Sequence, residues 1–382
     1  MPEPIAIIGG GIGGLTTALT LKQLGHPVSV YESASEIKPV GAGIVLANNA
    51  MQVFRNLGIQ SQIEAAGNRV SSMNITDEWF RTISALDLTR FEGKYGVYNV
   101  AIHRGELQKI LAEELGFESI KLSKRLSKIE RSEGFALHFD DTTTERCQFL
   151  VGADGINSVV RTELFKPSEI RDTGQACWRG ICEMELPLDD RHGAIEAWGK
   201  GRRFGYVQIA PDKVYWYAVV SEHLVGQKNL SELFKSFPQI LNILESTPPD
   251  TIFFSQLKDL KPISKWQDKT VCLIGDAAHA TTPNMGQGAC QAIEDAYTIG
   301  QLLRKETPME EVFSDYEKLR MKKAHRIVNT SWTLGKVAHL ENPLGIWLRN
   351  MLMRAAPKST NYKQLETIFD IGYVKKKSSR SS

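Results

Sequence analysis

The chain has 382 residues, 42% hydrophobic and 24% charged, with 46 Lys+Arg against 44 Asp+Glu and a formal charge of +2. Four of the positives (Lys375, Lys376, Lys377 and Arg380) lie in the last eight residues, so the body holds 42 positives against 44 negatives, which excludes bulk electrostatic binding of nucleic acid. Five cysteines without a CxxC pair exclude a disulfide scaffold and a thiolate zinc cluster, and no run of 18 apolar residues offers a transmembrane span.

No basic segment leads into an apolar one near the N-terminus, so no secretory signal is expected and a reducing, cytoplasmic setting is. Pro4 to Ile8 is an apolar run suited to a buried parallel strand, GGGIGG follows at 9–14, and Leu15, Ala18, Leu19 and Leu24 recur near helical spacing. Val28, Val30 and Glu32 close a second strand, giving one β-α-β unit. Residues 41–67 read as helical after a glycine turn, residues 70–100 alternate, and His103 to Leu115 is a helix ended by Gly116. Ala194 to Trp198, Arg202 to Ile209 and Val214 to Val220 are aromatic and β-branched, the last two joined as a hairpin. A buried-strand pattern returns at 270–276, and helices run from Gly286 to about residue 370.

Gly9, Gly11 and Gly14 satisfy G-x-G-x-x-G. The first makes a tight turn, the second admits a pyrophosphate close to the backbone, and the third lets helix and strand pack. The helix N-terminus then offers free N–H groups to phosphate. Glu32, 18 residues after Gly14, can accept both hydroxyls of an adenosine ribose and would repel a 2′-phosphate, which argues against NADP here. FAD and NAD remain equal on this motif alone.

Two further motifs bear on the choice. VGADGINSVVR (151–161) ends a strand in a turn, where Asp154 would hold a cation, Arg104 being the obvious one, or backbone amides, with Asn157 or Ser158 as helix N-cap. In CLIGDAAHATTPNMGQGACQAIEDA (272–296) a strand delivers Asp276 to a sugar-alcohol hydroxyl. A loop with Pro283, then Gly286 and Gly288, opens a helix whose N-terminus favours a reduced flavin's negative charge. Two gripping turns about 270 residues apart imply a long dinucleotide held at both ends.

At these motifs, with HRGEL at 103–107, the chain resembles the FAD-dependent aromatic hydroxylases, the class A flavoprotein monooxygenases. EIKPVGAGIVLANNA (36–50), CWRG (177–180) and WGKGRRFGYVQIAPDKVYWYA (198–218) resemble the branch with urate hydroxylase, salicylate hydroxylase, zeaxanthin epoxidase and alkylquinolone 3-hydroxylase, and SWTLGKVAHLENPLGIWLRNMLMRAAP (331–357) resembles the last most. The resemblance implies an α/β fold: a Rossmann-like FAD-binding domain of glutathione-reductase-2 (GR2) type, an inserted mainly β substrate domain and a C-terminal helical region. The expected division is 1–70, 100–170 and 266–330 for FAD, 71–99 and 171–265 for substrate, 331–370 for C-terminal helices and 371–382 for a disordered tail. It further implies that Gly13, Gly14, Glu32 and Ser33 meet the ADP half of FAD with Arg104 and Leu126 beside it. Asp276 would hold the ribityl chain, Val45 would approach it or the ring, and Gly286, Gln287, Gly288, Ala289 and Cys290 would line the ring. Arg203 and Tyr215 match positions for catalysis and substrate contact.

The implied reaction takes electrons from NADPH or NADH as a transient co-substrate and transfers one atom of molecular oxygen, through a flavin hydroperoxide, to an aromatic or heteroaromatic substrate. The alternatives are an epoxidase, reductase or oxidase of an isoprenoid or amine, and a non-catalytic redox sensor. No metal is expected, and a monomer or homodimer is. From the residues alone, Arg203 is either a solvated strand charge or the holder of an anionic substrate oxygen. His279 reads as a hydrogen-bonded structural histidine, and the apolar stripe in 343–353 as a helix packed on the flavin domain.

Overall fold

The computed structural model describes residues 4–37, 42–226, 229–304 and 307–374. Its first layer is a six-stranded sheet in the order Gln267–Asp268, Val271–Leu273, Leu150–Gly152, Ile5–Ile8, Val28–Tyr31, Ile120–Lys121. All neighbours are parallel except the first pair. Ile5 to Ile8 are all buried, because helices cover both faces of such a sheet and the strand needs no polar side. Helices Ile12–Gln23 and Gly288–Leu303 cross in contact, where a Cβ on Gly13 would come 2.9 Å from the Ala292 methyl.

The second layer is a seven-stranded sheet in the order Phe253–Leu260, Ile170–Glu183, Lys213–Ser221, Arg202–Ala210, Gly193–Gly199, Ser72–Asp77, Thr82–Asp87. Its period of two sorts side chains by face. Phe204, Tyr206 and Trp216 pack behind it on Phe234, Phe237 and Ile240, while Val207, Ile209 and Tyr215 join the core of the first layer. The strands Ser72–Asp77 and Thr82–Asp87 belong to this sheet although about 80 residues that run outside it separate them from its next strand, Ile170–Glu183.

Two expectations change. Residues 43–46 are a strand, paired antiparallel with Asn99–His103, and helix begins only at Asn48. Gly43 is required there because the Tyr215 ring occupies the place of a Cβ, and Ile44 to Leu46 are β-formers backed by a partner strand. Ile371 and Val374 are buried against the core, so the chain is ordered through 374; the rest of the expected tail, 375–382, lies outside the described residues.

Candidate active site

Ile5–Ile8 runs straight into the glycine turn. Gly9 takes φ +107°, and a Cβ on Gly14 would collide with the Gly9 carbonyl, so strand and helix can meet only without side chains. Beside Gly11, by contrast, the space is open for at least 4 Å. Glu32 closes the turn: Gly10 N–H donates to its Oε2 at 2.6 Å, and Ala34 N–H and Ser33 Oγ donate to Oε1 at 2.8 and 3.2 Å. A carboxylate has about four lone-pair sites, so one acceptor position stays open for a ligand hydroxyl. Gln108, which sequence reading passed over, donates from Nε2 to the Gly10 carbonyl at 2.7 Å and fixes the turn from the other side.

Backbone bonds from Ser123 to Ala34 and from Lys124 to Glu32 bring the segment before Leu126 alongside this end of the site. The Leu126 side chain itself is buried in the core. Arg104 begins the helix Arg104–Leu115 with an exposed side chain, and its N–H donates to Ala42 O at 3.1 Å.

Asp154 holds amides rather than Arg104. Its Oδ1 accepts from Ser158 Oγ at 2.5 Å and its Oδ2 from Val159 and Val160 N–H at 2.7 and 3.1 Å. The turn folds the carboxylate back over the start of helix Val159–Leu164, where free N–H groups and the helix dipole attract it. Burial nevertheless raises its pKa, more than these bonds lower it. Ser158, the N-cap, accepts from Arg161 N–H at 2.9 Å. Arg161 is buried and donates from Nη1 to Ala277 O at 2.9 Å and from Nε to Ser168 Oγ at 2.9 Å. The GADG motif therefore braces the Asp276 turn from inside.

At that turn Gly275 N–H and His279 Nε2 both bond Asp295 Oδ2, at 2.9 and 2.7 Å, which makes His279 a structural histidine. Asp276 lies between them with its carboxylate exposed and with no hydrogen bond or ion pair among the described residues. A Cβ on Gly275 would come 3.0 Å from Ala292, the same methyl that meets Gly13, so the two ligand turns adjoin across one residue. Pro283 and Gly286 are exposed, and Gly286, at φ +61°, ends the short turn Pro283–Met285 before helix Gly288–Leu303. That helix carries no acidic residue in its first turn, leaving its positive end uncompensated.

The side chains at this helix start point inward, apart from the small, half-buried Gly288 and Ala289. Gln287 Oε1 accepts from Asn49 Nδ2 at 3.2 Å and Gln291 Nε2 at 3.0 Å. Cys290 Sγ accepts from Ala47 N–H at 3.4 Å and donates to Val45 O at 3.7 Å, tying the helix to the strand Gly43–Leu46. Burial pushes its thiol up to about 12, so it is no nucleophile.

Arg203 is fully buried, not solvated. Nη1 donates to Glu196 Oε1 at 3.1 Å, and Nη2 donates to Asn284 Oδ1 in the Pro283–Met285 turn. Asn284 is held in turn by Thr282 Oγ1 at 2.8 Å and Ser331 O at 2.7 Å. Glu196 also accepts from Trp198 Nε1 at 2.5 Å and from the Tyr217 hydroxyl. Burial and then the Glu196 charge raise that hydroxyl well above an ordinary phenol, so it stays a donor. Arg203 Nε has no hydrogen-bond partner among the described residues. Tyr215 stands against Gly43, where the sheet meets the first layer, its hydroxyl pKa raised by burial.

The family described as FAD binding domain matches residues 3–331. The chain belongs to that family. It is 33% identical over 358 residues to the aurachin C monooxygenase/isomerase of Stigmatella aurantiaca, covering 92% of this chain and 93% of that protein. It is 30% identical to the 2-heptyl-3-hydroxy-4(1H)-quinolone synthase of Pseudomonas aeruginosa, covering 96% and 97%. Among solved structures, Klebsiella pneumoniae HpxO complexed with FAD and uric acid superposes with a TM-score of 0.86 at 25% identity, covering 97% of each chain. This family member is an FAD-dependent aromatic hydroxylase, a monooxygenase drawing electrons from NAD(P)H. The glycine cradle, the open space at Gly11 and the free Asp276 carboxylate fit FAD. Among the described residues no helix is long and apolar enough to cross a membrane, and no group of His, Cys, Asp and Glu could hold a metal ion.

Proposed function

We propose that this enzyme hydroxylates an alkyl-substituted heteroaromatic of the quinolone class, using molecular oxygen, in the cytoplasm and as a monomer or homodimer. The observation that carries the reading is Arg203. A buried guanidinium with an unpaired Nε sits on the sheet face that also presents Val207, Ile209 and Tyr215, and it bonds the Pro283–Met285 turn. An apolar wall with one cation suits a flat ring bearing a single oxygen and a hydrocarbon chain. The Pseudomonas relative is named for a compound of that shape, a 2-heptyl-3-hydroxy-4(1H)-quinolone.

In this reading Glu32 and Ser33 hold the adenosine ribose, Gly9, Gly11, Gly13 and Gly14 admit the pyrophosphate, and Arg104 and Leu126 flank that half. Asp154 acts indirectly, by fixing the turn. Asp276 accepts from the ribityl chain near Val45, and the backbone of Pro283 and of Gly286 to Cys290 borders the ring. FAD, reduced by NADH or NADPH, supplies the activated oxygen atom. Arg203 orients the substrate oxygen and stabilises negative charge as it develops, at no reorganisation cost because Glu196 and Asn284 already hold it. The packed sheet excludes water from the reacting face.

The test is a panel of quinolones, urate and salicylate-type acids, read by NAD(P)H depletion and product mass. The expected result is fastest coupled turnover on an alkylquinolone and a product one oxygen atom heavier. Coupled turnover on urate or salicylate alone would refute the substrate class.

A further inference from the structure

The helix Pro343–Ala355 is turned inside out. Its protein-facing side carries Arg349, which is buried, donates from Nη1 to Val337 O and Ala338 O at 3.2 and 3.1 Å, and lies 4.9 Å from the centre of the Trp198 ring. Its outer side carries Leu344, Trp347, Leu348, Met351 and Leu352, exposed by 71, 60, 44, 42 and 57%. The spacing i, i+3, i+4, i+7, i+8 makes one continuous stripe. Five of the eleven large exposed hydrophobics among the described residues are therefore on this one helix face, a concentration that monomeric surfaces rarely keep without a use.

The surroundings say what the stripe meets. The turn between Asp77 and Thr82, which Arg354 of the helix's last turn contacts at both ends, carries Trp79, also exposed, with the Arg81 guanidinium 4.7 Å over its ring. Arg354, in the last turn, donates from Nε to Thr82 O at 3.1 Å. Both arginines share one buried carboxylate, Asp77, at 2.7 and 3.5 Å, so this corner keeps a net positive charge. Aliphatic side chains flanked by tryptophan and unneutralised arginine match the acyl boundary, the headgroup layer and the phosphates of an anionic bilayer. A second copy of the chain fits less well. The stripe is about 20 Å long and one helix, roughly 10 Å, wide, whereas a stable dimer buries about 800 Å² per partner.

We infer that the outer face of Pro343–Ala355, with Trp79, Arg81 and Arg354, docks the enzyme peripherally on an anionic membrane surface. The docked face connects to the candidate site, since Arg349 packs on Trp198 and the Trp198 indole bonds the same Glu196 that holds Arg203. A substrate dissolved in the bilayer would thus enter near the sheet that carries Arg203. Docking rests on the proposed substrate class only for its purpose; the binding itself stands apart from it.

The test is co-sedimentation of the full-chain FAD-loaded enzyme with vesicles of phosphatidylcholine plus phosphatidylglycerol, and with vesicles of phosphatidylcholine alone. Wild type is expected to partition strongly to the anionic vesicles. The double variant Trp347→Glu, Leu348→Glu should lose about tenfold or more of that partitioning, while retaining its flavin and its turnover of a substrate dissolved in buffer. Arg81→Gln should weaken binding to anionic vesicles and leave the weak binding to neutral ones unchanged. No sedimentation of wild type, or equal sedimentation of the double variant, would overturn the inference. So would a wild-type dimer at micromolar concentration that the double variant converts to monomer, because the second copy would then be the occupant. Failure of the quinolone panel with vesicle binding intact would leave docking standing and remove only its purpose.

Discussion

Two arginines, Arg203 and Arg320, are both fully buried and both bond carboxylates, yet they are built differently. Arg320 donates from Nε to Asp295 at 2.8 Å, from Nη1 to Glu294 at 2.6 Å and Tyr373 at 2.8 Å, and from Nη2 to Gln291 O and Oε1 at 3.2 and 2.7 Å. Lys323 adds a second cation on Glu294 at 2.7 Å, so two carboxylates meet two cations and no donor of Arg320 is idle. Arg203 has one carboxylate, already shared with Trp198 and Tyr217, and an unpaired Nε. A saturated buried cation is a brace. An unsaturated one keeps capacity for a guest, because a buried donor without a partner is costly until something accepts from it.

The sharpest way to break this comparison is Arg320→Leu. It leaves Glu294 and Asp295 buried without the counter-charge they share, a loss expected to cost about 3–5 kcal/mol, read as a lower urea midpoint. The brace also sets a pH window. Burial alone would raise both carboxyl pKa values, but Arg320 and Lys323 hold Glu294, and His279 and Arg320 hold Asp295, below the usual range. Their stabilisation is therefore present above the unfolded carboxylate pKa and is lost as pH falls through the depressed folded values. An unchanged midpoint in Arg320→Leu would make the network ornamental.

Next in size is the cofactor end. Glu32→Ala removes the charged acceptor proposed for the ligand and also frees Gly10 and Ala34 N–H, so FAD affinity should fall by about 1.5–3 kcal/mol, or roughly tenfold to a hundredfold. Asp276→Ala should sit at the lower end of that range, because the exposed Asp276 organises no part of its own turn. Flavin retained per mole after dialysis separates them. Equal losses would mean that the Glu32 contacts to its own loop contribute nothing to binding.

His339 probes the other arginine from behind. It is buried next to Arg203 and Arg349, and its pKa falls from 6.5 to about 2, mainly through burial and then through the Arg203 charge. The unfolded chain takes up a proton near pH 6.5 that the folded chain refuses, so stability falls as pH drops below that value. Between pH 7 and pH 5 the loss should be about 2 kcal/mol. His339→Gln, which cannot titrate, should flatten that part of the stability profile. A profile that stays as steep would locate the acid sensitivity elsewhere.

These contrasts also mark what the sequence could reveal. Gly9 to Gly14, Glu32 and the hairpin at 202–220 were legible because each is a local chemical demand, a collision avoided or a period of two kept. Asp154 was harder, since the same carboxylate in a Gly-Ala-Asp-Gly turn can meet a cation or cap a helix, and only the return of the chain over Val159 decides between them. Arg320 lies among Lys318, Lys322 and Lys323 on a 30-residue helix, a pattern that reads as solvated charge until Gly288–Leu303 is packed against it. The helix Pro343–Ala355 displayed its stripe openly, but a hydrophobic period cannot say which side faces protein. Here the expectation of inward packing is reversed by Arg349, whose bonds to two carbonyls at the end of helix Met309–Ala338 take the inner position.

The smallest effect is the most discriminating for Arg203. Arg203→Gln removes the charge proposed to face the substrate, and should lower the fraction of NAD(P)H oxidation that yields product about tenfold, the worth of one charged hydrogen bond of about 1.4 kcal/mol. Glu196→Gln is subtler. It keeps an oxygen for Arg203 Nη1 but loses the charge that Arg203, Trp198 and Tyr217 all share, so coupling should fall only about threefold, near 0.7 kcal/mol. FAD content should change little in both, because neither residue reaches the glycine turn and Asn284 stays held by Thr282 and Ser331 when Arg203 is replaced. Glu196 acts through Arg203 as a positioning residue, so the double variant should be no worse coupled than Arg203→Gln alone. Independent, multiplying losses would mean instead that Glu196 contacts the substrate directly, and Arg203 would then be one of two site charges.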